Sequence, residues 1–257
     1  MKIFDTHAHY DDEAFAEDRE ELLKRLPEEG IARVVNIGAS LRGCRDTLAL
    51  TEQYDFIYAA IGVHPSEVAE LTEESFAWLK EQCLGEKCLA VGEIGLDYHW
   101  PEPDPKLQKE WFLRQLSLAR EIKKPMVIHS RDAAKDTLDI MKAEHAEEIG
   151  GVIHCYAYSK EMAKNYLDMG FYFGIGGVLT FKNAKKLKEA VEYLPMECLV
   201  LETDSPYLAP EPNRGKRNSS LNLPCVVKAL SEMKGISKEE VCRITWENAC
   251  RLYRMEE

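Results

Sequence analysis

Several features that define whole classes of protein are missing from this sequence of 257 residues. Its eight cysteines include no C-x-x-C pair, which argues against a thiolate zinc site, and we expect buried reduced thiols instead. No apolar run approaches the roughly 18 residues that span a bilayer, and no charged-then-apolar signal opens the chain. We therefore expect a cytoplasmic protein that makes no membrane contact.

Basic residues are also in short supply. Lysine and arginine total 33 against 45 aspartates and glutamates, which gives a net charge of −12. This balance excludes a protein that coats nucleic acid through a broad basic surface. It remains compatible with an enzyme that binds phosphates locally, through metal ions and a few arginines.

What the sequence does contain is a regular alternation of apolar and amphipathic segments. Short β-branched runs alternate with longer stretches whose apolar residues recur at three- and four-residue spacing. The runs lie at 2–5, 32–37, 56–61, 88–94, 126–129, 151–154, 171–175 and 198–202. Eight strands alternating with helices predict an α/β fold, a (β/α)8 TIM barrel, with residues 1–257 as a single domain. Two further helices are predicted at 223–234 and 238–254, after a long loop at 209–224.

Polar residues follow the apolar runs where each strand should end. In a parallel barrel these ends form one face, where active sites occur, so distant residues should converge there. His7 and His9 have the i, i+2 spacing that puts both imidazoles on one side of a strand. Asp5, one step earlier, is expected to orient one of these histidines. Taken alone, the His-x-His pattern also fits two ordinary hydrogen-bonded residues at a strand end.

The complete donor set predicts a catalytic metal site at the C-terminal ends of the strands. Imidazole mixed with carboxylate suits Mg²⁺, Zn²⁺, Mn²⁺ or Fe²⁺ rather than a structural zinc. Six ligands are many for one catalytic ion, so we expect two ions per chain, bridged by a carboxylate. The predicted ligands are His7, His9, Glu93, His129, His154 and Asp204. His99 and His145 are given no chemical role.

With these residues in place, the chain resembles the TatD family of metal-dependent deoxyribonucleases, within the amidohydrolase-like barrels. The matching stretches run from residue 4 to about residue 255: FDTHAHYDD, IGVHPSE, VGEIGLDYHW, REIKKPMVIHSRDA, GGVIHCY, LETDSPYLAP, RGKRN and WENACRLYRM. The resemblance implies a 3′-to-5′ exonuclease that hydrolyses DNA phosphodiester bonds with Mg²⁺ or a similar ion. It also implies that His7, His9 and Asp204 hold one ion, that His129 and His154 hold the second, and that Glu93 bridges them.

The expected mechanism uses two ions to activate a water for in-line displacement. Asp204 is predicted to accept the water proton, and Glu93 to fix the ion pair. His64 and Arg131 are predicted to contact the scissile phosphate or a neighbouring one. Tyr207 is predicted to stack on a base of the substrate, or else to close the barrel. The basic residues Arg214, Lys216 and Arg217 of the long loop are predicted to bind flanking phosphates.

Two segments depart from the family pattern, and both are predicted to alter substrate contacts rather than metal ligands. The family usually reads Cys-Phe-Ser-Gly-Ser where this chain has the stretch 155–159, and Glu-Pro where it has Ser219 and Ser220. We expect DNA ends or single strands as the substrate of a monomeric enzyme. An aminoacyl-tRNA deacylase or another esterase or amidase on the same scaffold is the alternative, and a non-catalytic metal-binding module is a second one.

Overall fold

The computed structural model describes residues 1–256 and confirms the predicted α/β barrel. Its eight strands pair in parallel, each with the next along the chain, in the order β1 to β8. The strands are β1 (Ile3–Ala8), β2 (Ile31–Gly38), β3 (Ile57–Ile61), β4 (Cys88–Asp97), β5 (Met126–Arg131), β6 (Gly151–Ile153), β7 (Tyr172–Ile175) and β8 (Leu199–Leu201).

Helices follow the strands and surround the barrel. They are α1 (Arg19–Arg25), α2 (Leu41–Gln53), α3 (Glu73–Gln82), α4 (Pro105–Ile122), α5 (Ala134–Ala143), α6 (Lys160–Asp168), α7 (Lys185–Tyr193), α8 (Leu223–Lys234) and α9 (Lys238–Tyr253). Six short 3₁₀ turns lie between them, at Glu13–Phe15, Val68–Glu70, Ala146–Glu148, Gly177–Thr180, Met196–Cys198 and Ser220–Asn222. In residues 1–256, no helix combines the length and apolarity needed to cross a bilayer.

Local sequence explains where the helices begin. Helix α4 starts where Asp104 caps it by accepting from the amide of Lys106, with Pro105 at the first helical position. Helix α2 is capped by Ser40, whose hydroxyl accepts from the amide of Gly43. The apolar faces of such helices pack on the strands and form a continuous buried core around the barrel.

The barrel closes between its first and last strands, at the level of the predicted site. Ala8 forms a parallel bridge with Ser205, the amide of His9 donates to Ser205 (2.8 Å), and the amide of Asp204 donates to the His7 carbonyl (2.9 Å). Closure therefore fixes the backbone of two predicted ligands, His7 and Asp204, directly against each other.

The GEIG stretch of β4 has a steric explanation. Gly95 has a φ of +147°, and a Cβ there would lie 1.9 Å from the carbonyl oxygen of His129. Any larger residue would push β4 and β5 apart. This glycine therefore permits the close approach that brings Glu93 toward His129.

The main differences from the predicted elements concern their ends. Strand β1 extends to Ala8 and β4 to Asp97, so His7 and Asp97 lie inside strands instead of after them. The predicted long loop contains a 3₁₀ turn at Ser220–Asn222, and α8 follows at Leu223–Lys234, the bounds that the sequence predicted. Six of the eight cysteines are buried, in agreement with the prediction of buried thiols.

Candidate metal centre

A cavity of about 900 Å³ opens at the C-terminal ends of the strands. Five of the six predicted ligands line it, and the sixth, His7, is buried beneath them with 1% of its surface exposed. The lining ligands are His9, Glu93, His129, His154 and Asp204. The fold thus brings together residues from five different strand ends, as the sequence predicted.

The first cluster of donors comprises His7, His9 and Asp204, whose ligand atoms lie within 4.8 Å of one another. The Nε2 atoms of His7 and His9 face each other at 3.1 Å, and Asp204 Oδ1 lies 3.4 Å from His9 Nε2. His9 Nδ1 donates to the carbonyl of Ile37 (3.0 Å), which leaves the Nε2 lone pair of the neutral ring directed into the site. This cluster matches the first predicted ligand set.

Glu93 lies at the centre of the remaining donors. Its Oε1 is 2.6 Å from His129 Nδ1 and 3.4 Å from His154 Nε2, while its Oε2 is 3.4 Å from His7 Nε2. One carboxylate therefore contacts histidines from both predicted ligand sets. This arrangement is the one that a bridging ligand requires.

His64 lines the cavity close to the predicted ligands. Its Nε2 lies 3.8 Å from Glu93 Oε1, and its donor atoms group with those of Glu93 and His129, while its predicted contact with substrate stays a prediction. The Ser66 amide donates to His64 Nδ1 (3.1 Å), so the neutral ring carries its proton on Nε2. Burial and the neighbouring His129 lower the pKa of His64 to about 3. His64 therefore presents an N–H donor to the site.

The electrostatics of the site favour bound positive charge. Burial would raise the pKa of Glu93, but the surrounding imidazoles, His154 first, hold that pKa well below its usual range. Burial opposes the charged form of His154, yet Glu93 and Glu202 raise its pKa to about 10. The ionised carboxylates thus stabilise positive charge in the site, carried either by protonated imidazoles or by a bound cation.

These residues fit divalent ions. Two ring nitrogens that face each other at 3.1 Å hold at most one hydrogen bond between them, whereas both lone pairs can ligate an ion. Among the described residues, four buried side-chain atoms have no hydrogen-bond partner, and three of them belong to this site: His7 Nδ1, His154 Nδ1 and Glu202 Oε2. Imidazole and carboxylate donors suit a catalytic divalent ion, and ion binding would displace protons from the histidines.

Glu202 and Asp97 support the ligand histidines, and the sequence interpretation gave neither a defined role. Glu202 is 1% exposed, accepts from the Cys155 amide (2.6 Å), and places Oε1 3.3 Å from His154 Nδ1. Asp97 Oδ2 lies 3.1 Å from His129 Nε2. Carboxylates behind metal-binding imidazoles orient the rings and increase their basicity. The i, i+2 spacing of Glu202 and Asp204 repeats the His7–His9 pattern and was the available signal.

Replacing Glu202 with glutamine should weaken Mn²⁺ binding by about 10- to 100-fold, because the charge behind His154 is lost while the shape is kept. Calorimetric titration of Mn²⁺ into the purified variant measures the change. Glu211→Gln, at an exposed loop position, is the matched control and should bind as the wild type does. Unchanged Mn²⁺ affinity in Glu202→Gln would show that this carboxylate does not support the site.

Asp5 supports the backbone of the site and does not contact an imidazole, so the prediction that it orients a histidine ring is wrong. Its carboxylate accepts from the amide of His7 (3.2 Å), from the hydroxyl and amide of Thr203, and from the hydroxyl of Ser220 (2.6 Å). Burial raises the pKa of Asp5 to about 7. Ser220 is one of the two departures from the family pattern, and it joins this support rather than the substrate cavity.

Replacing Asp5 with alanine should lower the free energy of unfolding by about 2–4 kcal/mol, because several buried donors lose their acceptor. Urea denaturation followed by circular dichroism measures this change. Asp55→Ala is the control at a fully exposed aspartate, and its effect should stay within about 0.5 kcal/mol. Equal stability of the two variants would contradict the supporting role of Asp5.

Only some of the residues predicted to contact substrate line the cavity. Arg131 and Tyr207 line the cavity, whereas Arg214 does not line it and packs its guanidinium over Phe181 at 4.3 Å. Arg217 forms an ion pair with Asp18 and also donates to the carbonyl of Ala14 (2.7 Å). The basic loop is therefore held partly by intramolecular contacts, which the sequence could not reveal.

The chain matches a family model and two named relatives over nearly its whole length. A family model described as TatD related DNase matches residues 4–254. YabD of Bacillus subtilis, described as an uncharacterized metal-dependent hydrolase, is 45% identical over 98% of this chain and 99% of its own length. YcfH of Escherichia coli K12, with the same description, is 33% identical over 100% of this chain and 97% of its own.

Solved structures agree with the fold. The TatD homolog YJJV of Escherichia coli K12 has a TM-score of 0.92 at 28% identity and covers 99% of this chain and 98% of its own. A TatD-family hydrolase of Entamoeba histolytica has a TM-score of 0.88 at 23% identity, with 98% of each chain covered. The whole length of the barrel is therefore shared with these proteins.

Proposed function

This chain belongs to the TatD family of metal-dependent hydrolases, and from that membership we propose that it is a 3′-to-5′ exodeoxyribonuclease. One observation carries the proposal: Glu93 contacts histidines of both predicted ligand sets at the base of an open cavity. Mixed imidazole and carboxylate donors around one carboxylate are suited to two-ion hydrolysis of phosphate esters. The family description supplies DNA as the substrate class.

The proposed ligands are His7, His9 and Asp204 for one ion and His129 and His154 for the other, with Glu93 shared by both. When bound, Mg²⁺ or a similar ion activates water and stabilises the charge that develops on the phosphate. Asp204 is the proposed base. Its carboxylate is 17% exposed to the cavity, and its pKa is lowered because its bond with His9 and the nearby histidines outweigh the effect of burial. An ionised carboxylate within reach of the cavity can accept the proton of the attacking water.

Two other residues are proposed to hold the substrate. His64 directs Nε2–H into the cavity, where it can donate to a phosphate oxygen. Arg131 is the one arginine or lysine that lines the described cavity, and its planar guanidinium can form two bonds with one phosphate. Together they position a single phosphodiester beside Glu93 and Asp204.

An aminoacyl-tRNA deacylase remains the competing proposal, because the same donors would also activate water against an ester. The test incubates the protein with 5′-labelled single-stranded DNA and, in parallel, with charged tRNA, each with Mg²⁺, Mn²⁺ or EDTA. We expect DNA to be shortened stepwise from its 3′ end with a divalent ion, and to remain intact with EDTA. Release of the amino acid from tRNA together with intact DNA under every ion would overturn the nuclease proposal.

A further inference from the structure

The mouth of the cavity carries an exposed indole that the proposed chemistry does not use. Trp100 is 56% exposed and lines the cavity that holds the ligands. It follows β4, whereas the exposed Tyr207 follows β8. Strands β4 and β8 are four positions apart in the ring of eight, so the two aromatic residues lie at opposite sides of the mouth. An exposed apolar surface at such a position is typical of a ligand-binding site.

The loop that carries Trp100 is held in place by several contacts. The ring of His99 packs edge-on against the indole, with centroids 4.8 Å apart and planes at 85°. His99 is itself fixed, because its amide donates to Asp97 Oδ1 (2.9 Å) and its Nδ1 lies 3.3 Å from Asp132 Oδ2. The indole is thus braced from the side and presented by a fixed backbone.

The sequence HWPEPDP stiffens this loop further. Pro101, Pro103 and Pro105 each restrict φ, which limits the conformations of the loop. The buried Gln108 of α4 ties the loop to β4, because its amide nitrogen donates to the carbonyls of Asp97 and Pro103 (2.9 Å each). A preorganised aromatic surface loses little entropy when a ligand stacks on it.

The charge of the cavity limits which ligand can use this surface. Six carboxylates line the cavity, on Asp11, Asp12, Glu67, Glu93, Asp97 and Asp204. Against them, the described lining contains one arginine, Arg131, and no lysine. A long phosphate backbone would be repelled except at the ions and at Arg131, so the substrate needs a contact that does not depend on charge. Stacking of a base on an aromatic ring is such a contact.

We propose that Trp100 is the stacking platform for the base of the 3′-terminal nucleotide of a single-stranded DNA substrate. The proposal rests on the exonuclease function and adds a residue that determines specificity. An unpaired base stacks on the indole on the β4 side while its phosphodiester lies near Glu93. A duplex end, whose terminal base is already stacked and paired, is a poorer substrate for this platform.

The test compares two single-stranded DNA hexamers that differ only in the 3′-terminal residue, which is either thymidine or an abasic tetrahydrofuran. Trp100→Ala should raise KM for the thymidine hexamer by about tenfold with little change in kcat. Trp100→Phe should restore most of the loss, and the abasic hexamer should not distinguish the variants. Tyr193→Ala removes an exposed aromatic ring far from the cavity lining and should behave as the wild type does. An equal change in KM for both hexamers in Trp100→Ala, or no change for either, would contradict the proposed role of Trp100 as the stacking platform.

A binding measurement separates this proposal from the proposed function. If the wild type hydrolyses neither hexamer with any divalent ion, the exonuclease proposal fails. Tryptophan fluorescence in Mg²⁺ buffer then tests separately whether the terminal base stacks on Trp100. Saturable quenching by the thymidine hexamer, absent with the abasic hexamer and absent in Trp100→Phe, supports stacking on Trp100. Equal quenching by the two hexamers, or no quenching, contradicts it.

Discussion

Replacing Glu93 with glutamine should reduce hydrolysis by about 10³-fold or more while the protein remains folded. Within residues 1–256, Glu93 is the one side chain that contacts His7, His129 and His154 together. The amide of glutamine has one acceptor oxygen and no charge. It can therefore neither bridge two ions nor keep the surrounding imidazole rings in their orientations. The measurement is kcat on a single-stranded oligonucleotide with saturating Mg²⁺ and Mn²⁺.

Glu67→Gln is the matched control for this variant. Glu67 also lines the cavity, but it is exposed, and its Oε1 accepts from the hydroxyl of Ser66 (3.1 Å), which lies beside His64 and not beside a proposed ligand. A glutamine oxygen can keep this bond. Its kcat should stay within about twofold of the wild type, as for a surface substitution. If Glu93→Gln kept wild-type activity and Glu67→Gln did not, the site would be wrongly assigned.

Replacing Asp204 with asparagine should lower kcat by about 10²- to 10⁴-fold, the range that general acid–base catalysis typically contributes. Asp204 Oδ1 lies 3.4 Å from His9 Nε2, and its backbone is fixed by the bond to the His7 carbonyl. Asparagine keeps a ligating oxygen but cannot accept the water proton. The measurement pairs single-turnover rates with the metal content of the variant by mass spectrometry.

The pairing of rate and metal content distinguishes the two roles of Asp204. A variant that retains its metal but not its activity has lost the base, whereas loss of both shows that ligation dominates. Asp55→Asn is the control at a fully exposed aspartate outside the cavity lining, and it should keep wild-type activity. Full metal-dependent activity in Asp204→Asn would rule out Asp204 as the base.

Much of the fold was predictable because the barrel repeats one simple pattern. Each β-branched run such as that at 126–129 became a parallel strand, and the polar residue after it came to the same face. The strand ends were less predictable, because β1 continues through His7 and β4 through Asp97. Apolar periodicity stops at such residues, whereas backbone hydrogen bonding across the barrel does not.

The convergence of the six proposed ligands was predictable from residue type and spacing, but their supporting contacts were not. Asp5 and His7 are two residues apart on one strand, which suggested a contact between carboxylate and ring, yet the carboxylate binds backbone amides and Ser220. Glu202 was overlooked because a buried glutamate beside a ligand can serve as ligand, support or neither. Only the three-dimensional arrangement places it 3.3 Å from His154.

Surface charge was the least informative part of the sequence. The basic loop suggested three phosphate contacts, but Arg217 pairs with Asp18 and Arg214 packs over Phe181. Such contacts join residues that are distant in the chain, so no local pattern predicts them. Conversely, Trp100 in the HWPEPDP stretch had no assigned role until the cavity showed its position.

The most direct test of the account is to locate the ions themselves. Crystals of the protein grown with Mn²⁺ would be measured at the manganese absorption edge to map anomalous scattering. We predict two peaks in the site, one contacting His7, His9 and Asp204, the other contacting His129 and His154, with Glu93 touching both. A single peak, or peaks that do not contact Glu93, would contradict the two-ion centre.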